Sequence, residues 1–151
     1  MYSILRRLFT AAIVITQVLA AQQKALITMF SDSVGATGLS LWDYPIRAGG
    51  KQLYPVAVYG PRVEKYKYRI LKIQRGNKSI FGHVVDECPQ TVHVCRENHK
   101  KAARRNSILL DVHQTAWKKL GLDYNVGIYN AKITVVGKKI KRNKYVDSKW
   151  M

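Results

Sequence analysis

From Lys24 onward the apolar residues of this chain fall in short runs of four to seven, rich in Val, Ile, Tyr and Leu and broken by Gly, Pro, Asn and Asp. Runs that short and that β-branched are strands and not helices. They predict strands over residues 26–30, 54–58, 68–73, 79–85, 108–111 and 131–136. YRILKIQ and SIFGHVVD flank RGNK and predict a hairpin, because Gly76 and Asn77 tolerate the positive φ of a tight reversal. One segment breaks the rhythm. VHQTAWKKLG spaces Val112, Ala116, Trp117 and Leu120 along one helical face, turns Lys118 and Lys119 outward and stops at Gly121. The expectation is an all-β domain with one short helix, Trp117 in its core, and Asp111 placed to cap that helix.

A composition of 47% hydrophobic and 23% charged residues over 151 positions suits one packed domain and is too apolar for a disordered chain. The first segment, MYSILRRLFTAAIVITQVLAA, sets Arg6 and Arg7 before an uncharged run over residues 8–21 that ends on small residues. That is the layout of a secretory signal over residues 1–21, and the run falls short of the ~20 apolar residues a spanning helix needs. The expected product is secreted, with no membrane span after cleavage. Its removal takes only Arg6 and Arg7, so +15 of the formal charge of +17 stays with the mature part. Such a field attracts acidic polymers in general, and in a secreted protein acidic glycans come first.

Two cysteines, Cys88 and Cys95, enclose the short loop CPQTVHVC. An even pair in an exported chain reads as one disulfide, and the rival is a metal site with His93 and His99, whose spacing matches no zinc pattern well. Residues 41–55, LWDYPIRAGGKQLYP, hold two prolines and a glycine pair and read as a long exposed loop. Residues 138–151, KKIKRNKYVDSKWM, carry six basic residues against one acid and read as a flexible basic tail after a domain over residues 24–137. No repeat and no second domain is visible.

Three blocks, in order, resemble the double-psi β-barrel family of RlpA-like proteins, expansins, barwin and kiwellin. ITMFSDSVGATG at 27–38 looks like the family's opening strand and G-A-C-G turn. FGHVVDECP at 81–89 is similar to its V-x-V-x-D-x-C-P strand end. LLDVHQTAWKKLG at 109–121 resembles its I-D-L-S-x-x-A-F-x-x-L stretch, and VGIYNAKITVV its closing strand. The resemblance implies a six-stranded barrel with a shallow groove over one side. Thr37 stands where the family turn has a Cys, and Tyr68 is nearest to where a second Cys opens the hairpin, so both halves of one family disulfide are missing together.

The resemblance also implies that Asp86 and Asp111 face the groove, with Asp111 matching the general acid of related endoglucanases and lytic transglycosylases. Glycosidic cleavage needs such an acid, and an inverting hydrolase also needs a base across the sugar. Asp111 therefore stands open as catalyst, sugar ligand or helix cap. Trp42, Tyr44 and Tyr59 are candidates for an aromatic platform on which a pyranose stacks, with Thr37, His83 and His113 beside them. No Ser or Cys lies in a nucleophile motif. Asn77-Lys78-Ser79 is a glycosylation sequon, relevant in a eukaryotic secretory route. KKAARR at 100–105 raises nucleic-acid binding, yet it fits no recognition module and reads as a solvated face. No metal or cofactor is called for. The expected function is a monomeric secreted protein that binds wall or extracellular polysaccharide without strong catalysis. The alternatives are a lytic transglycosylase or glycanase, and a secreted effector or protease inhibitor that binds a protein partner.

Overall fold

A computed structural model describes residues 21–31 and 44–141 of the chain. Among the described residues there are seven strands: β1 (Gln23–Phe30), β2 (Ile46–Ala48), β3 (Lys51–Tyr59), β4 (Ile70–Arg75), β5 (Lys78–Cys88), β6 (Ile108–His113) and β7 (Tyr129–Val136). Six are those expected from the short apolar runs. The seventh lies inside the segment read as a long loop. Gly49 and Gly50, both at positive φ, make a two-residue turn that pairs Ala48 with Lys51 and folds β2 back on β3. The expected hairpin around RGNK joins β4 to β5 with Arg75 opposite Lys78, and of its two turn residues only Gly76 takes a positive φ.

Hydrogen bonding runs in the order β3–β5–β4–β7–β1–β6, and β6 pairs again with β3 to close a six-stranded barrel. β1 lies parallel to β6 and β3 parallel to β5, while the remaining pairs are antiparallel. Parallel neighbours cannot be joined by a tight turn, so the chain crosses over between the members of each parallel pair. Pro55, which cannot donate to a ladder, falls in β3 where pairing with β2 has ended at Leu53 and pairing with β6 has not begun at Val56.

Alternation sorts the strands into an inner and an outer face. Ala25 and Ile27 of β1, Tyr54, Val56 and Val58 of β3, and Leu71 and Ile73 of β4 fill the interior. Ile80 and Val84 of β5, Leu110 and Val112 of β6, and Ile133 of β7 complete it. Between Ile80 and Val84 sits Gly82, where a Cβ would stand 2.5 Å from Val56 Cγ2 and 3.0 Å from Ile73 Cδ1. β5 has no room for a side chain there.

Among the described residues three α-helices decorate the barrel: α1 (Val63–Tyr66), α2 (His93–Arg104) and α3 (Gln114–Leu120). α3 is the helix expected, with Ala116, Trp117 and Leu120 buried and Gly121 as its C-cap. Its N-cap is His113, whose ring accepts from Thr115 N–H, and not Asp111, which lies two residues back inside β6. β6 simply runs two residues further than its apolar run suggested. α2 was not expected, because KKAARR reads as a charged run. It packs Cys95, the His99 ring and Ala102, at i, i+4 and i+7, over the outer-face residues Leu26, Tyr59, Cys88 and Leu109. No described helix is long and apolar enough to cross a membrane. The segment read as a flexible tail is docked at its start. Ile140 N–H donates to Tyr68 C=O at 2.8 Å, and its side chain joins Ala48, Leu53 and Ile70. Residues 1–20, with the expected signal, and 142–151, the rest of the tail, lie outside the described residues.

The tight site at Gly82 gives a direct test of the packing. Gly82→Ala is expected to destabilise the protein by about 1–3 kcal/mol, as overpacking does in a filled core, measured by urea denaturation. An unchanged midpoint would mean that Gly82 does not face the barrel interior.

Candidate functional site

The strand register lines up a polar row on the outer face of the barrel. Thr28 of β1 is opposite Asp111 of β6, Asp111 is opposite Ala57 of β3, and Ala57 is opposite Asp86 of β5. Residues in register on neighbouring strands project to the same side, so the row crosses four strands as Thr28, Asp111, Ala57 and Asp86. The two aspartates are separated by two strand spacings, roughly 10 Å between Cα atoms. Ala57 puts only a methyl group between them and forms the floor. The sequence expectation that Asp86 and Asp111 meet on one side of the barrel describes this arrangement.

Asp86 reaches that side through an irregularity. Ile80, Gly82 and Val84 point inward, and by strict alternation Asp86 would follow them into the core. The β3–β5 register slips between Val56, paired with Val84, and Ala57, paired with Asp86. Val85 is the extra residue, and its bulge turns Asp86 and Cys88 outward, Cys88 joining the outer cluster under α2. A carboxylate is thereby kept out of a dry interior where it would find no compensation.

The two carboxylates are held differently. Asp86 is buried, and its Oδ1 accepts from the Glu87 backbone N–H at 2.8 Å. Asp111 is half-buried, and its Oδ1 accepts from the Thr28 hydroxyl at 2.7 Å. Its Oδ2 lies 3.6 Å from Cys88 Sγ. That sulfur belongs to the Cys88–Cys95 disulfide, with S–S 1.97 Å, and carries no proton, so the approach is a packing contact. The bridge also removes the alternative of a cysteine–histidine metal site, since neither sulfur is available as a thiolate ligand.

Apolar residues, most of them buried, border the row on both sides. Toward the start of β1 stands the α2 patch of Leu26, Leu109, Tyr59 and Cys88. Toward its end, Phe30 meets the His113 ring edge-on at 5.4 Å, and Phe30 packs with Tyr44, Val85 and Ile46. The row, referred to below as the trough, thus runs between two apolar patches, and Asp111 is the more exposed of its two carboxylates.

Several expected sugar contacts belong to the walls instead. Tyr59 is buried, with its face covered by the His99 ring at 3.9 Å and nearly parallel, so it offers no stacking platform. Tyr44 is buried as well, its hydroxyl 2.7 Å from His83 Nδ1. His83 is fully buried, and its Nε2 lies 2.7 Å from the Ile140 carbonyl. A carbonyl only accepts, so Nε2 carries the proton and Nδ1 accepts from Tyr44 O–H. His83 is the staple between residue 44 and the segment at Ile140. His113 is buried as the cap of α3, with Nδ1 2.8 Å from Thr115 Oγ1. Asn77 is exposed at its hairpin tip. Thr37 and Trp42 lie outside the described residues. Thr28 was missed, although it is the lone polar residue in ALITMF and so the one position of β1 that an apolar strand does not explain.

No family model matches the chain. A curated rice protein, putative ripening-related protein 5 of Oryza sativa subsp. japonica, is 36% identical over 63 residues, which are 42% of this chain and 22% of that protein. Among solved structures, an Asp-to-Asn mutant of the expansin of Clavibacter michiganensis in complex with cellohexaose superposes with TM-score 0.53 at 18% identity. The apo form of that expansin gives 0.52 at 18%. Each superposition covers 80% of this chain and 53% of the expansin, so the chain spans about half the length of that protein.

The buried staple makes stability depend on pH. Burial pushes the His83 imidazole down from its ordinary 6.5 to about 4, against the smaller opposing effect of the Ile140 carbonyl. The unfolded chain takes up this proton near pH 6.5 and the folded chain only near pH 4, so acidification between those values favours unfolding. Relative to His83→Gln, the native protein is expected to lose roughly 2–3 kcal/mol of stability between pH 7 and pH 4, read from urea midpoints at each pH. Parallel pH profiles for the two proteins would show that His83 is not buried as neutral imidazole.

Proposed function

On the premise that this chain has the expansin-like double-psi β-barrel fold, we propose that it is a secreted protein that binds cell-wall or extracellular polysaccharide along the Thr28–Asp111–Ala57–Asp86 trough, without strong catalysis. The observation that carries this reading is the Thr28–Asp111 pair, with Asp111 half-buried, in a polar row flanked by apolar residues. Carboxylate oxygens accept from sugar hydroxyls. The neighbour in complex with cellohexaose is a solved structure of the same fold with a β-linked glucan. The Cys88–Cys95 bridge fits an oxidising compartment and so the secreted route read from residues 1–21.

The way the two carboxylates are engaged favours binding over inverting hydrolysis. Inverting cleavage needs one carboxyl to protonate the leaving oxygen and a second to activate water from the opposite face. Asp86 has an oxygen committed to the Glu87 N–H in a buried position, which leaves it poorly placed to activate water. Asp111 Oδ1 accepts from the Thr28 hydroxyl, which orients the carboxyl group as a ligand for sugar hydroxyls.

The test is retention of the protein on insoluble cellulose, chitin and peptidoglycan in 0.5 M NaCl, where attraction by the net charge is screened. Retention on at least one polymer is expected, weakened five-fold or more in Asp111→Ala, with no soluble sugar released. No retention on any of the three would overturn the proposal. Release of soluble oligosaccharide or muropeptide that Asp111→Asn abolishes would instead make the protein a glycanase or lytic transglycosylase with Asp111 as general acid.

A further inference from the structure

At the rim of the barrel near the β4–β5 turn, a cavity of about 560 Å³ opens among β4, β7, the start of β1 and the chain that follows α2. Four of its lining residues are cations, Lys24, Arg75, Arg105 and Lys132, and none of the described residues lining it is acidic. Lys24 of β1 stands directly opposite Lys132 of β7, with Gln74 of β4 next in the same cross-strand row. Like charges opposite one another in an antiparallel pair destabilise it. Lysines are often placed on strands to protect a sheet edge, but here both strands are paired on both sides in a closed barrel and have no edge to protect.

The two guanidinium groups are held in place from either side of Asn130. Arg75 Nη1 donates to the Asn130 backbone carbonyl at 3.2 Å, and Arg105 Nη1 donates to its side-chain Oδ1 at 3.1 Å. Arg75 also lies over the Tyr129 ring at 4.1 Å. Anchored in this way, the planar forks lose less freedom on meeting a carboxylate than free surface arginines would. The like-charged row and the fixed forks are two features that a bound anion would relieve and use.

We propose that this cavity is a second binding site, independent of the trough, for a carboxylate-bearing glycan of the polyuronate class. Its volume falls in the ~300–1,000 Å³ range of pockets that hold organic ligands, which suits an oligomer of charged sugars better than a single inorganic ion. Two lysines and two arginines spread over three strands and a loop match carboxylates repeated along a polymer. A single-stranded nucleic acid would need aromatic faces for its bases, and the aromatic ring beside this cavity is already covered by Arg75. Lys24 and Thr28 lie four residues apart on β1, roughly 13 Å, with Leu26 under α2 between them. The two sites therefore occupy separate stretches of the surface.

The experiment is calorimetric titration of the full chain with polygalacturonate oligomers at 20 mM NaCl. Comparisons are an Arg75→Gln/Arg105→Gln double variant and a Lys118→Gln/Lys119→Gln control, which removes the same charge from the exposed side of α3. The expected results are a ten-fold or greater loss of affinity in the arginine variant and less than two-fold in the control. Lys132→Gln is expected to weaken binding while raising the thermal midpoint, since it relieves the Lys24 repulsion. Retention of the arginine variant on neutral polysaccharide at high salt checks that it is folded and keeps this site separate from the trough. Equal losses in the arginine variant and the control would overturn the proposal, as would equal affinity for the fully methyl-esterified polymer. Binding of single-stranded DNA that exceeds binding of the uronate would also overturn it.

Discussion

β3 is the strand on which both the barrel and the trough depend. It is hydrogen-bonded on one side to β5 in parallel and on the other to β6 in antiparallel, and the second pairing turns an open sheet into a closed barrel. Without that pairing, β6 would be a far edge of the sheet and the aspartates of β5 and β6 would be unrelated. With it, Ala57 has Asp86 on one side and Asp111 on the other. The same closure gives Tyr54, Val56 and Val58 a sealed interior to fill, so stability and site geometry share one set of hydrogen bonds.

The bulge at Val85 adjusts this frame. A barrel that alternates strictly would carry Asp86 into its apolar core, where an unpaired carboxylate is very costly. One extra residue restores an outward direction for Asp86 and lets Cys88 reach Cys95 on α2. The disulfide then fastens α2 over Leu26, Leu109 and Tyr59, which builds one wall of the trough. Asp86 accepts from the neighbouring Glu87 backbone, whereas Asp111 is tied across the strands to Thr28.

Charge is partitioned along the outer face of the barrel. The trough holds two carboxylates, while Lys24, Arg75, Arg105 and Lys132 gather around the rim cavity. A uniformly basic coat would explain a net charge of +17 as a solubility device or a non-specific adhesive. Opposed lysines in closed strands and arginines pinned on Asn130 are a more specific arrangement. Under the two proposals, charged polymer at the rim would be released by salt whereas neutral polymer in the trough would not.

The six barrel strands, the RGNK hairpin and α3 were legible in the sequence because each rests on local chemistry: β-branched runs, a glycine turn, apolar residues at helical spacing. α2 was not, because its inward face is Cys95, His99 and Ala102, residues that do not register as an apolar stripe. β2 was hidden among prolines and glycines that read as loop. The aspartates stood out by their motifs, but Thr28 did not, since a single hydroxyl in a strand acquires meaning only from its partner 83 positions away. Burial of Tyr44, Tyr59 and His83 was likewise invisible, because it depends on what α2 and Ile140 cover. What the sequence by itself determined was the strand content, the direction of most side chains and the sign of the charge, all functions of neighbours along the chain. Which residues share a row, which aromatics are sealed and which cations converge were decided by tertiary structure alone, because register, the β3–β6 closure and the Val85 slip set distances between residues that no local spacing encodes.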